Sequence, residues 1–210
     1  MFAFLEWRAT EDLLSSGGSF LHAAGLRLGS ANVLLVGESG SGKSTLAAHL
    51  MARGHLAWGD DLVRFAPRDG RFSAAPRSWK LDANTLKSID LLKLLSPEAV
   101  AGTLLAPGVL YASPAAFRRN WRAPDGTPDV VLLLEKEGHQ GPPRVELVSE
   151  GEAALRTARM LIGSAAEHNE RDQADRMLRV LEALGGVKAY RARGTPPGAL
   201  AAVVETELAA

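Results

Sequence analysis

The 210-residue chain has no cysteine, so disulfides, thiolate nucleophiles and cysteine-ligated zinc are excluded, and a reducing compartment, the cytoplasm, is the expected location. It also lacks an excess of either charge. Its 24 Lys and Arg match 24 Asp and Glu, which leaves no global field to draw the protein to nucleic acid or to an anionic membrane. Any anion has to be bound locally. Long hydrophobic runs are missing as well: none approaches the roughly 18 residues of a membrane span. The opening stretch MFAFLEWRATEDLL has no basic n-region and meets acids at once, so neither secretion nor insertion is expected. With no internal repeat, low-complexity tract or long linker, residues 1–210 are expected to form a single domain, and a composition 46% hydrophobic and 23% charged is enough for a sizeable core.

What the chain does have is a glycine-rich stretch of recognisable design. Gly37 to Thr45 reads GESGSGKST and satisfies the phosphate-binding pattern GxxxxGK[ST], with Gly37, Gly42, Lys43 and Ser44 at its fixed positions. Gly37, Gly40 and Gly42 are expected to take positive φ, so that the loop curls and its N–H groups face a polyphosphate. The nucleotide-binding set is then Gly37, Glu38, Ser39, Gly40, Ser41, Gly42, Lys43, Ser44 and Thr45. Lys43 would put a point charge between the β- and γ-phosphates of ATP, and the Ser44 hydroxyl would ligate the accompanying Mg²⁺. The context fits. NVLLV at 32–36 reads as a buried strand, and LAAHLMAR at 46–53 as a helix whose single apolar stripe is Leu46, Ala47, Leu50 and Met51, closed by Gly54.

Ser19 to Leu28 reads as one strand that turns through Gly29 and Ser30 to pair with the strand before the loop. His55 to Trp58 is the next strand and runs into Gly59-Asp60-Asp61. A right-handed crossover from the glycine-rich loop would bring this strand's end to the same sheet edge, and so deliver both carboxylates beside the phosphates. Adjacent residues of an extended segment point in opposite directions, so one carboxylate can reach Mg²⁺ while the other faces an incoming hydroxyl as general base.

Elsewhere, Phe2 to Trp7 suggests an edge strand, and Glu11 to Leu14 a short helix or turn. Leu62 to Phe65, the turn PRDG, Phe72 and Trp79 to Leu81 suggest a meander. Helical fragments such as Leu86 to Leu95 alternate with loops up to Asp129. VVLLL at 130–134 belongs at the centre of the sheet, and Val145 to Val148 is a further strand. Glu152 to Leu184 is helical by spacing but crosses the polar run HNERDQADR, either as one exposed helix or as two broken there. Val187 to Ala192 is the last strand, and Pro196-Pro197 opens a helix that closes over Leu200 to Leu208. His22 suits a core histidine or a partner of the Asp pair. Arg77 and Lys80, and the cluster Arg118, Arg119 and Arg122, suit either anion contacts or solvated surface. His139 and His168 stand alone in polar loops.

His22, the loop Gly37–Ser44, Arg53-Gly54-His55 and Asp60-Asp61 together resemble the catalytic domain of the HPr kinase/phosphorylase family over about Phe20 to Phe65. The resemblance implies an α/β P-loop core akin to phosphoenolpyruvate carboxykinase, with a central mixed sheet and flanking helices. It implies ATP and Mg²⁺ as cofactors, Asp60 as the base that activates a serine hydroxyl, Asp61 to help hold the metal or orient the site, and His22 in support. The family's hexamers imply a homo-oligomer. A segment equivalent to the family's second signature is absent, and Thr45 stands where those enzymes usually carry an acid. The chain is more similar to short HPr-kinase-like proteins, some of which phosphorylate a serine of a precursor peptide, so a small protein or precursor peptide is the expected partner. A small-molecule kinase and a non-catalytic nucleotide switch are the alternatives.

Overall fold

The computed structural model describes residues 19–75, 77–89, 104–106, 108–117, 119–135, 141–162 and 170–208. The expectations for Phe2–Trp7, Glu11–Leu14, residues 90–103, Arg118, His139 and His168 lie outside them. The described residues form a mixed α/β fold around a six-stranded sheet. At its centre are β3 (Ala31–Val36) and β10 (Val130–Leu134), which pair in parallel, and β10 pairs in parallel again with β13 (Lys188–Arg193). β2 (Ala24–Leu28) returns antiparallel to β3 through Gly29 and Ser30, β4 (Leu56–Gly59) lies antiparallel to β2, and β11 (Arg144–Leu147) closes the other edge on β13. The order is β11-β13-β10-β3-β2-β4.

VVLLL is buried at every position because helices cover both faces of the sheet. Val33, Leu35 and Leu132 point to one side, where they meet Leu46 and Leu50 of α1 (Lys43–Ala52) and Val204 and Leu208 of α6 (Pro197–Leu208). Leu34, Val36, Val131 and Leu133 point to the other, toward Ala153 and Ala154 of α4 (Glu150–Ala158) and Val180 and Leu184 in and just after α5 (Glu170–Ala183). The period of two along each strand sorts these side chains.

The single stripe expected on the helix after the loop is too narrow. Ala48 and His49 are buried along with Leu46, Ala47, Leu50 and Met51, because α1 is packed by α6 and by α2 (Ala83–Ile89) as well as by the sheet. Gly54 does end it, in the left-handed region at φ 100°. The single strand expected over Ser19 to Leu28 is two. β1 (Ser19–Leu21) belongs to a small sheet, between β12 (Leu161–Ile162) and β5 (Val63–Ala66) with β6 (Arg71–Ala74) beyond, and the chain steps into the main sheet at His22-Ala23, where the His22 N–H bonds to the Met160 carbonyl at 2.8 Å. The expected meander is in part a hairpin: β5 (Val63–Ala66) and β6 (Arg71–Ala74) pair across PRDG. β7 (Trp79–Asp82) leaves them for a third sheet with β9 (Val109–Ala112) and β8 (Leu104–Ala106), and α3 (Pro114–Phe117) follows. The helical region from Glu152 to Leu184 is broken ahead of its polar run rather than by it. Leu161 and Ile162 form β12, paired antiparallel with β1, and the polar residues 171–175 form the exposed start of α5.

Arg53 and His55 join the end of α1 to α6. Arg53 Nε donates to Glu205 Oε2 at 2.6 Å, and His55 Nε2 lies 2.8 Å from Glu205 Oε1. The bond from Arg53, then that from His55, hold the Glu205 carboxyl below its ordinary 4.5. A carboxyl depressed on folding stabilises above its unfolded pKa and loses that contribution as pH falls through the folded value. Glu205→Gln is expected to be less stable than the parent at neutral pH by about 1 kcal/mol or less, given its exposure. Thermal melts at neutral pH and at about pH 3 test this: the gap is expected to close in acid.

Candidate functional site

The loop leaves β3 at the carboxyl end of the parallel strands, where open α/β sheets bind ligands. Gly40 and Gly42 take φ of 80° and 90°, in the region that favours glycine. Gly37, expected to do the same, does not have positive φ. Its lack of a side chain serves close approach instead: a Cβ there would collide with the Leu134 carbonyl oxygen and lie 2.6 Å from Ser41 Oγ. Lys43 is only 5% exposed, and its ammonium bonds within its own loop, to the Gly37 carbonyl at 2.7 Å and that of Glu38 at 3.0 Å. Burial lowers its pKa, and the Asp61 and Asp60 charges oppose that. A cation held over the loop's backbone by two neutral acceptors is positioned to exchange them for phosphate oxygens. Thr45 Oγ1 is 2.7 Å from Thr85 Oγ1, and the Thr85 N–H bonds to Asp82 Oδ1 at 2.8 Å, so the loop's end is tied to the start of α2.

β2 lies between β3 and β4 and is antiparallel to both, so β4 runs parallel to β3 and ends at the same edge. Its final residues enter a tight turn: a Cβ on Gly59 would come 2.5 Å from the Leu62 carbonyl, and Asp61 takes φ 69°. Aspartate is among the few non-glycine residues that visit this left-handed region, and the turn sends the two neighbouring carboxylates to different surroundings. Asp60 is 2% exposed, and neither oxygen has a partner of hydrogen-bonding geometry among the described residues. Burial pushes its pKa up to about 7, against the pull of the nearby Ser44 hydroxyl; the Asp61 charge adds to the rise and that of Lys43 opposes it. Asp61 is fully engaged. His22 Nε2 lies 2.8 Å from its Oδ1 and Arg77 Nη1 3.2 Å from its Oδ2. The His22 bond holds its carboxyl below the ordinary range, with help from the Arg77 and Lys43 charges and against burial.

A cavity of about 580 Å³ is lined by Ser39, Lys43, Ser44, Asp60, Asp61 and His22, together with Lys80, Asp82 and Thr85. The structure therefore brings together the loop, both aspartates and His22, and adds two residues whose role the sequence left open, Arg77 on Asp61 and Lys80 in the wall. The sequence signal for these two was a pair of basic residues in RSWK, beyond the hairpin that follows the Asp pair, with nothing to give their direction. Arg53 and His55 are elsewhere, on Glu205. Of the basic cluster, Arg119 is exposed and Arg122 pairs with Asp125 at 3.2 Å, while Trp121 packs against the core.

No group of three or more His, Asp or Glu among the described residues is arranged to hold a metal ion. The buried, unpartnered oxygens of Asp60 beside the Ser44 hydroxyl form a small all-oxygen donor set. That fits Mg²⁺, which takes one or two protein ligands and completes its shell with phosphate and water. The Ser44 hydroxyl thus has Asp60 for its neighbour.

No family model matches the chain, and no curated protein matches it. Among solved structures it is similar to the Hpr(Ser) kinase/phosphatase from Coxiella burnetii, at 15% identity over 90% of this chain and 95% of that one, with a TM-score of 0.41. A likeness that distant says nothing about the reaction. No helix among the described residues is long and apolar enough to cross a membrane.

Proposed function

We propose that the protein is an ATP-dependent, Mg²⁺-requiring kinase that transfers the γ-phosphoryl group to a serine or similar hydroxyl of a small protein or precursor peptide. The observation that carries this reading is the shared cavity: a glycine-rich loop with its lysine and serine faces two carboxylates in different environments. A nucleotide switch needs a metal ligand but has no use for a second, separately oriented carboxylate. The serine acceptor rests on the motif resemblance.

Within this reading the loop amides and Lys43 would bind the β- and γ-phosphates, and Ser44 and Asp60 would hold the cation. When bound, Mg²⁺ would neutralise charge on the phosphates. Asp61, held on both oxygens by His22 and Arg77, orients His22 at the mouth of the cavity, where the imidazole can take the hydroxyl proton of the acceptor. This reading gives the proton-accepting role to the His22–Asp61 pair, where the resemblance implies Asp60. The supporting contrast is access: Asp60 is 2% exposed, whereas the side chains of His22 and Asp61 are 32% and 41% exposed.

The direct test is to incubate the protein with MgATP and candidate peptides and look for the mass gain of one phosphoryl group. Lys43→Ala is expected to weaken MgATP binding and abolish transfer, because the phosphates lose their fixed cation. Calorimetry and transfer assays indistinguishable from the parent would remove the loop from the nucleotide site.

A further inference from the structure

A second cavity, of about 240 Å³, lies against the same loop, and Gly40, Gly42 and Thr45 line both. The loop is thus a shared wall. On one side stand the aspartates; on the other the floor is apolar, made by Leu46 of α1, Leu134 at the end of β10, Ala192 of β13 and Leu200 of α6. The far wall is the turn from β13 into α6, through Gly194, Thr195 and Pro197. That wall is fixed in place. The Thr195 N–H bonds to the Gly141 carbonyl at 3.2 Å, and Gly194, at φ 115°, is packed so closely that a Cβ would lie 2.7 Å from the Pro142 carbonyl oxygen.

We infer that this cavity holds the base of the nucleoside triphosphate whose phosphates occupy the loop, which fixes the nucleotide's direction: base toward the β13–α6 turn, γ-phosphate toward Asp60 and Asp61. The inference rests on the proposed nucleotide-binding reading. Three observations carry it. The volume is smaller than the roughly 300 to 1,000 Å³ of sites that enclose a whole drug-sized ligand, and suits a flat heterocycle whose sugar and phosphates stay outside. The floor consists of buried aliphatic side chains, which favour the faces of a ring over a charged or extended group. The cavity shares Gly40, Gly42 and Thr45 with the one that holds Asp60 and Asp61 but contains neither aspartate, so a nucleotide laid across the loop can reach into both. The other space beside the loop, next to Gly37 and Glu38, sets Val36, Leu134 and Met160 among four charged residues, Glu38, Glu135, Arg156 and Arg159, whereas the 240 Å³ cavity has two, Glu135 and Arg193, among its aliphatic residues.

The test compares MgATP with inorganic tripolyphosphate, which offers the same phosphate chain and no base, by calorimetry on the full chain. The parent is expected to bind MgATP at least about ten-fold more tightly than tripolyphosphate. Two variants obstruct the cavity: Thr195→Trp, at an exposed position, and Leu200→Phe, in its floor. Each is expected to lose most of that margin while keeping tripolyphosphate affinity within about two-fold, and the retained affinity reports that the loop is still folded. If the parent binds the two compounds equally, or if both variants keep the parent's preference for ATP, the base lies elsewhere and the phosphate loop stands. A parent that binds neither compound overturns the nucleotide reading, and this inference with it.

Discussion

Asp61→Asn and His22→Ala are each expected to lower phosphoryl transfer by about 10²- to 10⁴-fold, the usual contribution of a positioned general base, while leaving MgATP affinity near that of the parent. The reasoning is geometric. Both Asp61 oxygens are committed to protein partners, His22 at 2.8 Å and Arg77 at 3.2 Å, so its charge serves to orient and support the imidazole. The asparagine keeps the shape and one acceptor but removes the charge that favours a protonated His22 in the transition state. Asp60→Asn is expected to behave differently. Its unpartnered oxygens sit beside Ser44, so the loss should appear as a raised Mg²⁺ requirement, with nucleotide affinity and transfer falling together. Calorimetric MgATP titrations, Mg²⁺ titrations and single-turnover transfer on the three variants separate the two assignments. The reverse pattern, with Asp60→Asn binding normally but not transferring, would return the base to Asp60 as the sequence suggests.

The parts of this arrangement that could be read in the sequence are those written in consecutive residues. NVLLV, GESGSGKST and LAAHLMAR give strand, loop and helix in order because each has its own local signature, and VVLLL, a short apolar run flanked by turn and charge, reads as a buried strand at the centre of the sheet. Gly29-Ser30 marks a hairpin. What could not be read depends on packing between distant segments. SFLHAAGLRL is mostly apolar and has no proline, so no turn signal marks the step at His22-Ala23 from one sheet to another, yet that step is what places His22 on Asp61, 39 positions away. Leu161 and Ile162 continue the helical spacing of Leu155 and Ala158, and only their pairing with β1 makes them a strand. The burial of Ala48 and His49 follows from α6 and α2, which are remote in sequence. Gly37 is the instructive case at the site itself, since the pattern calls for glycine and the reason, the Leu134 carbonyl at close range, lies in another strand. Arg53-Gly54-His55 reads as part of a functional signature but is a clamp on Glu205.

Trp58→Ala is expected to cost about 3 to 5 kcal/mol of unfolding free energy, a large share of the roughly 5 to 15 kcal/mol of an ordinary domain. Trp58 is completely buried at the residue before Gly59-Asp60. It stacks on Phe72 with ring centroids 6.1 Å apart, and its indole N–H bonds to the Pro124 carbonyl at 2.7 Å. Removing it opens a cavity where β4 meets β6 and leaves that carbonyl without its donor, the two terms that make core truncations expensive. Trp58→Phe keeps a ring against Phe72 and is expected to cost appreciably less. The packing also explains Gly25 on β2: a Cβ there would lie 2.7 Å from Trp58 Cε3, so Gly25→Ala should cost about 1 to 3 kcal/mol by overpacking. The two sites must then couple. In a Trp58→Ala background the Gly25→Ala penalty is expected to shrink but not vanish, because the Cβ of residue 58 remains 3.0 Å from the added atom. Urea unfolding of the parent, both single variants and the double variant measures the cycle. Strict additivity, or a Trp58→Ala cost below about 1 kcal/mol, would show that Trp58 is not the support on which the turn carrying Asp60 and Asp61 rests.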